Sequence, residues 1–398
     1  MSSGGTRTSP NADHAASPLA AAVQTRLEPQ RAAMTELLGE LVRLESPSDD
    51  AECLNRMADR LEQLFDPLGT VTRHRIGRNG ASHLVVEVDG DDPALPYALV
   101  VGHLDTVWPK GTIERMPFDV VDGVARGPGC FDMKGGLVLL LMALREIQAL
   151  GRGPRRSVRV LVNCDEELGS PTARDLIDTL SSGAGIGLVL EPPLPGGGLK
   201  TARKGSMIFR LEITGRAAHA GIEPEKGASA ILELARQVEA VNALHDPERG
   251  TLVNIGVVRG GSRLNVVPAE AEADIAVRVT TAADVARVDD AMASLRPTVP
   301  GTEVRVIPGR RRPPMEPTPA SKQLLAHARA IAASAGIEEL ADGATGGGSD
   351  ANLLAAHGIP TLDGLGPDGG GAHADDEHVL LASMPARAAL IAGLLADA

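Results

Sequence analysis

A histidine and an aspartate two positions apart, His103 and Asp105, directly follow the apolar run 98–102. Side chains two apart on a strand point to the same side, so these two residues can share a target, with Asp105 holding the imidazole. Asp132 follows in a Gly-rich turn that begins a predicted helix, and it offers a second hard ligand. The stretch Leu99–Gly136 therefore indicates half of a metal site.

Further carboxylates stand where other apolar runs end. Glu166 and Glu167 follow the run that ends at Cys164, and Glu191 follows the run 186–190. In open α/β sheets, sites are built at the edge where the strands have their C-terminal ends. Separate strands are therefore predicted to deliver acidic ligands to one edge of a sheet.

Two imidazoles and three carboxylates form the candidate ligand set, namely His103, Asp132, Glu167, Glu191 and His373. This set suits zinc or a similar borderline ion. Five ligands are too many for one catalytic zinc ion, but they fit two ions that share one bridging carboxylate. Of the neighbours Glu166 and Glu167, one can bind metal while the other serves as a general base. That base would take a proton from the water that bridges the two metals, which leaves a bridging hydroxide. It would later pass the proton to the departing amine.

The elements that must position these residues change character along the chain. Up to Glu191, strands alternate with helices, which predicts an α/β fold with a mostly parallel sheet flanked by helices. A linker follows Pro192, and then the order β-α-β-β-α-β predicts an inserted ferredoxin-like α+β unit. We expect a catalytic domain at residues 26–202 and 309–398, the inserted unit at 203–308, and a disordered tail at 1–25.

The composition excludes several classes of protein. The 398-residue chain has a formal net charge of -13, which argues against nucleic acid or an anionic membrane as a partner. No apolar stretch approaches the roughly 18 residues of a membrane span. The N-terminal residues lack the basic start and apolar centre of a signal peptide, so we expect a cytoplasmic protein. Arg312 and Lys204 are expected to be solvated side chains, with a substrate-binding role as the alternative.

Five blocks carry a resemblance: G-H-L-D-T-V-W, G-P-G-C-F-D-M-K-G-G, D-E-E-L-G-S, L-E-P and G-G-A-H-A-D-D-E. In this order they resemble the signature blocks of the di-zinc metallopeptidase family of carboxypeptidase G, aminoacylase-1, acetylornithine deacetylase and succinyl-diaminopimelate desuccinylase. The similarity extends from Leu27 to the C-terminus. It is greatest to the glutamate carboxypeptidase (carboxypeptidase G-like) branch, which shares the K-G-T after the first block and the G-G-G-[ST]-D block.

The resemblance implies a role for each candidate residue of the catalytic domain. His103 and Glu191 would bind one zinc ion, Glu167 and His373 would bind the other, and Asp132 would bridge the two. Glu166 would act as base and acid, while Asp105 would orient His103. The resemblance also implies a cis peptide bond between Asp132 and Met133.

The inserted unit would be the family's lid and dimerisation domain. Within it, His219 matches the histidine that polarises the scissile carbonyl in a partner's site. Asn265 and Arg278 match residues that grip the substrate's α-carboxylate in the carboxypeptidase branch. The glycine loop that includes Gly347 would allow the substrate to approach the backbone closely. These matches predict a homodimer formed through the lid.

The predicted function is a zinc-dependent hydrolase that cleaves an amide bond next to a free carboxylate. Its substrates would be small molecules or short peptides, and it would release a C-terminal amino acid from peptidyl or N-acyl conjugates. Two Zn²⁺ ions per subunit are expected, with Co²⁺ or Mn²⁺ as further possibilities. The alternative is an N-acyl amino acid deacylase of the acetylornithine deacetylase, succinyl-diaminopimelate desuccinylase or aminoacylase kind.

Overall fold

The structure, a computed structural model, describes residues 16–397. Its α-helices are α1 (Pro18–Leu27), α2 (Arg31–Arg43), α3 (Ala51–Phe65), α4 (Thr112–Arg115), α5 (Gly135–Ala149), α6 (Arg174–Ser181), α7 (Ala230–Asn242), α8 (Ala282–Ala293), α9 (Pro319–Ser334), α10 (Ala351–Ala356) and α11 (Met384–Asp397). Its strands are β1 (Thr70–His74), β2 (His83–Val88), β3 (Tyr97–His103), β4 (Asp119–Val121), β5 (Val124–Arg126), β6 (Val158–Asn163), β7 (Ala184–Val189), β8 (Leu199–Arg203), β9 (Gly205–Thr214), β10 (Leu252–Gly260), β11 (Glu270–Val279), β12 (Glu303–Arg312), β13 (Asp342–Thr345), β14 (Thr361–Leu362), β15 (Gly369–Gly370) and β16 (His378–Leu380).

The central sheet has the strand order β1-β2-β6-β3-β7-β14. Strands β6, β3, β7 and β14 are parallel, while β1 and β2 pair antiparallel at one edge. His103 is paired with Asn163, so β3 and β6 end at the same edge of the sheet. The predicted mostly parallel sheet is confirmed, and so is the prediction that these strands end at one edge.

The central strand β3 is buried on both faces. Ala98 and Val100 belong to the core beneath α5 and α11, whereas Leu99 and Val101 belong to the core on the opposite face. Alternate side chains of a strand point to opposite faces, so a strand covered on both sides must be apolar throughout. The run 98–102 is continuous for this reason.

Residues 205–312 form a second sheet with the order β10-β11-β9-β12, in which all pairs are antiparallel. Helices α7 and α8 pack on one face of this sheet, around a core of its own that includes Phe209, Leu234 and Val288. The predicted order β-α-β-β-α-β is confirmed. Strand β12 continues to Arg312, beyond the predicted limit at residue 308.

The segments that enter and leave the inserted unit are joined to each other by backbone hydrogen bonds. The backbone N–H of Arg203 donates to the carbonyl of Met315 at 3.0 Å, and that of Met315 donates to the carbonyl of Arg203 at 3.0 Å. The limits of the two domains, and the lid and dimerisation roles of the inserted unit, stay predictions.

The N-terminal prediction needs a correction, because residues 18–25 are helical rather than part of a disordered tail. Helix α1 buries Leu19, Ala20 and Val23. It packs closely on α11: a Cβ added at Gly393 would lie 3.2 Å from Cβ of Ala20. Because this segment is rich in alanine, its apolar stripe is not evident from the sequence. Residues 1–15 of the predicted tail lie outside the described residues. Among residues 16–397, no helix is long and apolar enough to cross a membrane.

Candidate metal centre

His103 ends strand β3 with a nearly buried imidazole, whose side chain is 2% exposed. Its Nδ1 lies 2.9 Å from the backbone carbonyl oxygen of Asp105 and 3.5 Å from the carboxylate Oδ1 of the same residue. Its Nε2 lies 3.2 Å from Oδ1 of Asp132 and 3.7 Å from Oε1 of Glu191. The ring is therefore held through one nitrogen and presents the other to two carboxylates.

The Asp105 carboxylate has a wider set of contacts than the sequence suggested. It accepts a hydrogen bond from Oγ of Ser48 at 2.7 Å. It also accepts the backbone N–H groups of Glu166 at 3.1 Å and of Glu167 at 3.2 Å. Asp105 thus fixes the turn that follows β6 as well as the imidazole that follows β3.

Asp132 faces two histidines with its two carboxylate oxygens. Oδ1 lies 3.2 Å from Nε2 of His103, and Oδ2 lies 3.3 Å from Nε2 of His373. Nε2 of His373 is also 3.2 Å from Oε1 of Glu167. The peptide bond between Asp132 and Met133 is cis, as the resemblance implies. A bridging position for Asp132 is the arrangement that these distances fit.

Two trios of possible metal ligands result. One is His103, Asp132 and Glu191, and the other is Asp132, Glu167 and His373. Within each trio, one ligand atom from each residue lies within 4.8 Å of the others. The first trio is largely buried, whereas the side chain of His373 in the second is 49% exposed. The structure brings together all five predicted ligands.

The electrostatics of the trios fit divalent cations. Hydrogen bonds to Asp132 and Glu167 raise the pKa of His373 to about 10. Burial alone would lower the pKa of His103, but hydrogen bonds to Asp105 and Asp132 outweigh it and raise that pKa well above its usual value. Burial raises the pKa of Glu191 to about 7, with the charge of Asp132 adding to the effect. Without a metal, protons on the two imidazoles compensate the crowded carboxylates, and a cation would replace them.

Glu166 belongs to neither trio and is paired with a buried arginine. Its Oε1 accepts a hydrogen bond from Nη1 of Arg312 at 2.9 Å. Burial, with the charges of Asp350 and Glu191, raises the pKa of Glu166 well above the usual range, while Arg312 opposes that rise. Glu166 is therefore a nearly buried carboxylate beside the trios with no part in either, as a general base requires.

The expectation that Arg312 is a solvated side chain is wrong. Its side chain is 9% exposed, and besides Glu166 it approaches Oδ1 of Asp350 at 3.6 Å. The reason is that β12 ends against the catalytic domain. Arg312, the last residue of the strand, is buried there beside Glu166. Lys204 is also not free in solvent, because its Nζ donates to the carbonyl of Gly250 at 3.0 Å.

The predicted residues of the inserted unit lie apart from the trios. His219 and Asn265 are exposed and close to each other, since the N–H of Ala220 donates to the carbonyl of Asn265 at 3.0 Å. Among residues 16–397, no hydrogen bond or ion pair given by the structure joins His219, Asn265 or Arg278 to a trio. Gly347 is closer, and its carbonyl accepts a hydrogen bond from Nη1 of Arg203 at 3.1 Å.

Arg278 lies in the same cross-strand row as Arg312. Arg278 on β11 is opposite Ser206 on β9, and Ser206 is opposite Arg312 on β12. Directly opposite residues share a face of the sheet, and two strand spacings separate the two arginines by about 10 Å. Arg278 is thus on the face whose end meets Glu166.

Sequence reasoning missed two buried charges beside the ligands. Arg203, whose side chain is 4% exposed, pairs with Asp363 and places Nη2 3.7 Å from Oε2 of Glu191. Glu377 is fully buried and accepts the N–H of Asp132 at 3.0 Å. Glu377 stands at the end of the G-G-A-H-A-D-D-E block, but an acidic run does not indicate which of its carboxylates is buried.

Comparisons with known proteins agree with this geometry. The model of "Peptidase family M20/M25/M40" matches residues 99–397. Carboxypeptidase G2 of Pseudomonas sp. (strain RS-16) is 32% identical over 377 residues, which cover 92% of this chain and 90% of that protein. The chain belongs to this peptidase family. It is accordingly a hydrolase of the metallopeptidase class.

One further relative and one solved structure are also similar to this chain. Succinyl-diaminopimelate desuccinylase of Verminephrobacter eiseniae is 29% identical over 379 residues, covering 85% of this chain and 89% of that protein. The crystal structure of a tripeptidase from Staphylococcus aureus superposes with a TM-score of 0.73 at 22% identity, covering 92% of this chain and 97% of that one. The latter likeness concerns the fold.

Proposed function

We propose that this M20 peptidase is a two-metal hydrolase that cleaves an amide bond next to a free carboxylate and releases a C-terminal amino acid. The observation that carries the proposal is the position of Asp132, whose two oxygens face His103 and His373 at 3.2 and 3.3 Å. A carboxylate shared in this way fits two neighbouring ions better than one. The 32% identity to carboxypeptidase G2 supports the same reaction.

In this proposal, the two trios hold one ion each and share Asp132. Zinc suits the mixed imidazole and carboxylate donors, and cobalt or manganese would suit them as well. When bound, such ions would polarise the scissile carbonyl and acidify a water. Glu166 would accept a proton at its carboxylate and pass it to the departing amine.

In this proposal, residues of the inserted unit bind the substrate's carboxylate. Arg278 offers a planar fork of N–H donors on the face of the sheet that meets Glu166, and Asn265 offers an amide beside His219. Gly347 belongs to the catalytic domain, where its carbonyl accepts a hydrogen bond from Nη1 of Arg203 at 3.1 Å. Since His219 lies apart from the trios, it would act after the inserted unit closes or from a second subunit.

A homodimer through the inserted unit is part of the proposal. Strand β10 is an edge strand, and apolar side chains are exposed on it and on the neighbouring α7. They are Val257 (39%), Val258 (58%), Ile231 (44%) and Leu232 (49%). An unpaired edge with exposed apolar side chains favours association. A cytoplasmic location stays a prediction.

Mixed dimers test the position of His219. We expect a His219→Ala chain and a Glu166→Gln chain to be inactive separately, and the two are unfolded and refolded together. If His219 acts across the dimer, mixed dimers contain one intact site and activity returns. If activity does not return although mixed dimers form, His219 acts within its own subunit.

A hydrolysis screen tests the reaction. The protein is loaded with zinc, cobalt or manganese and assayed on N-acyl and peptidyl amino acids that vary at the C-terminal residue, each paired with its C-terminal amide. We expect hydrolysis of the free acids and weak hydrolysis of the amides. The absence of hydrolysis with two ions bound would reject the proposed function.

Deacylation of N-acyl amino acids is a second candidate, supported by the 29% identity to a succinyl-diaminopimelate desuccinylase. The same screen separates the two, because a deacylase would depend on the acyl group and tolerate changes of the released amino acid. A carboxypeptidase would show the opposite dependence.

A further inference from the structure

A buried carboxylate outside both trios joins the segments that carry the metal ligands. Glu377 is 0% exposed and lies four residues after His373, with its N–H donating to the carbonyl of Ala374 at 2.9 Å. It is thus part of the same tight loop as His373, whose φ of 63° is left-handed. A carboxylate in such a place must be compensated by donors, since an uncompensated buried charge is costly.

Four N–H groups supply that compensation. Oε1 accepts the backbone N–H of Phe131 at 2.9 Å and of Asp132 at 3.0 Å. Oε2 accepts the backbone N–H of Gly129 at 2.9 Å and the indole Nε1–H of Trp108 at 2.8 Å. Each oxygen therefore has two donors, and the side chain is fully engaged.

Three of the four donors belong to the short backbone segment that presents Asp132. This segment is the turn that precedes α5, and Asp132 and Met133 lack helical backbone angles within it. The segment cannot satisfy its own N–H groups by regular helical bonds, and Glu377 does so instead. Through Glu377, the segment of Asp132 is fixed to the loop of His373.

We propose that Glu377 is a positioning residue that sets the distance between Asp132 and His373, and thereby the metal affinity of the Asp132–Glu167–His373 trio. The inference rests on the proposed function in that it takes this trio to be a metal site. Residues that hold metal ligands in place typically change metal affinity by about 10- to 100-fold when they are replaced.

The effect is unequal between the trios. Glu377 fastens both the Asp132 segment and the His373 loop, so the second trio has two ligands that depend on it. The first trio has one such ligand, because His103 ends one strand of the central sheet and Glu191 lies just beyond the end of another. A general loss of stability would weaken both trios alike, which separates a positioning role from a merely structural one.

The test measures zinc binding to the full chain by competition with a chromophoric chelator, which needs no substrate. In Glu377→Gln, an amide NH₂ replaces one oxygen and faces two N–H donors. We assign the weaker of the two zinc-binding steps to the more exposed Asp132–Glu167–His373 trio, and we expect that step to lose about 10- to 100-fold in affinity and the stronger step to change much less. Asp376→Asn is the matched control, since it removes a charge from the exposed neighbouring residue. Unchanged affinities in Glu377→Gln, or an equal loss in both steps, would overturn the proposal.

Trp108 gives a second measurement because it is the chain's one tryptophan. Its indole N–H binds Glu377, so we expect the fluorescence maximum of the metal-free protein to shift in Glu377→Gln and to stay in place in Asp376→Asn. If Glu377→Gln does not fold, zinc binding is measured on Glu377→Asp instead, because this variant keeps the negative charge but shortens the side chain by one methylene group. A loss confined to the weaker step supports the proposal, and two unchanged steps reject it. Two zinc ions bound without hydrolysis would instead reject the proposed function and leave this inference standing.

Discussion

The edge of the central sheet and the inserted unit hold their candidate residues in opposite ways. At the sheet edge, His103 and Asp105 are buried and engaged by hydrogen bonds before any ligand arrives. On the inserted unit, His219 and Asn265 are exposed and lie apart from the trios. Under the proposed function, the fold would hold the metal ligands and the base in place in advance, whereas the substrate contacts would be completed by movement or by assembly.

The largest expected effect is at the sheet edge. Glu166→Gln removes the proposed base but keeps the size of the side chain, so turnover should fall by about 10²- to 10⁴-fold. The metal content, measured on the same sample, should be unchanged because Glu166 belongs to neither trio. Substantial activity in this variant would show that another group takes the proton. The buried sheet edge would then not supply the base.

The next effect is a pH dependence of metal binding. The pKa of His373 is raised to about 10 in the metal-free protein, so at neutral pH a metal ion must displace a proton. Zinc affinity should therefore rise about tenfold or more per pH unit between pH 6 and 8. Calorimetry in two buffers of different ionisation enthalpy measures the protons released, and a release of zero would contradict the assignment.

The same raised pKa affects the stability of the metal-free protein. A raised pKa means that the folded state binds the proton more tightly than the unfolded state. The stabilisation by His373 is therefore complete below its unfolded pKa near 6.5 and is lost as the pH rises to about 10. Thermal unfolding of the metal-free protein across this range should show that loss, and His373→Ala should show less of it.

On the inserted unit, Arg278→Ala should impair binding rather than chemistry. Loss of a charge-assisted hydrogen bond to the substrate's carboxylate should lower kcat/KM by about 10- to 100-fold, mainly through KM. Substrates with an amidated C-terminus should be unaffected. Arg210→Ala is the control, because Arg210 is on the same sheet but pairs with Asp274 at 2.8 Å. Equal losses in both variants would show that the charge acts at long range only.

The smallest effect concerns the junction of the two regions. Arg312→Ala removes the hydrogen bond to Glu166 and should lower kcat by about tenfold with little change in KM. Arg312→Lys should recover part of the loss, since it restores the charge but not the planar fork. The control is Arg311→Ala, whose exposed side chain pairs with Asp289 at 2.6 Å. A change in KM alone would make Arg312 a substrate contact instead.

The convergence of the five candidate ligands was predictable because it follows local rules. His103 and Glu191 each directly follow an apolar run, and the parallel pairing of β3 and β7 brings their ends to one edge. The strand order of the inserted unit was predictable for a similar reason, since alternation and helix length are visible in the sequence. The resemblance then supplied the division of roles between Glu166 and Glu167.

The contacts that depend on docking between distant segments were not predictable. Arg312 is in a run of arginines that has the composition of a solvated strand, and its burial depends on where β12 meets the turn after β6. Glu377 differs from Asp375 and Asp376 by its position above the segment of Asp132, which no spacing reveals. The helical structure of residues 18–25 was not predictable either. The few apolar residues of α1 are buried by α11, which is distant in the sequence.

The packing of α1 on α11 has a consequence for biosynthesis. Strand β14 and helix α11 are made long after α1 and α5, yet they complete the sheet and cover α1 and α5. The inserted unit has its own core and is complete by residue 312, so we expect it to fold first. Proteolysis of a chain truncated before Met384 would check this, with protection expected for residues 205–312 and cleavage elsewhere. Such a nascent chain exposes its most apolar helix, α5, until α11 has been made, so we expect its greatest need for a chaperone in that interval.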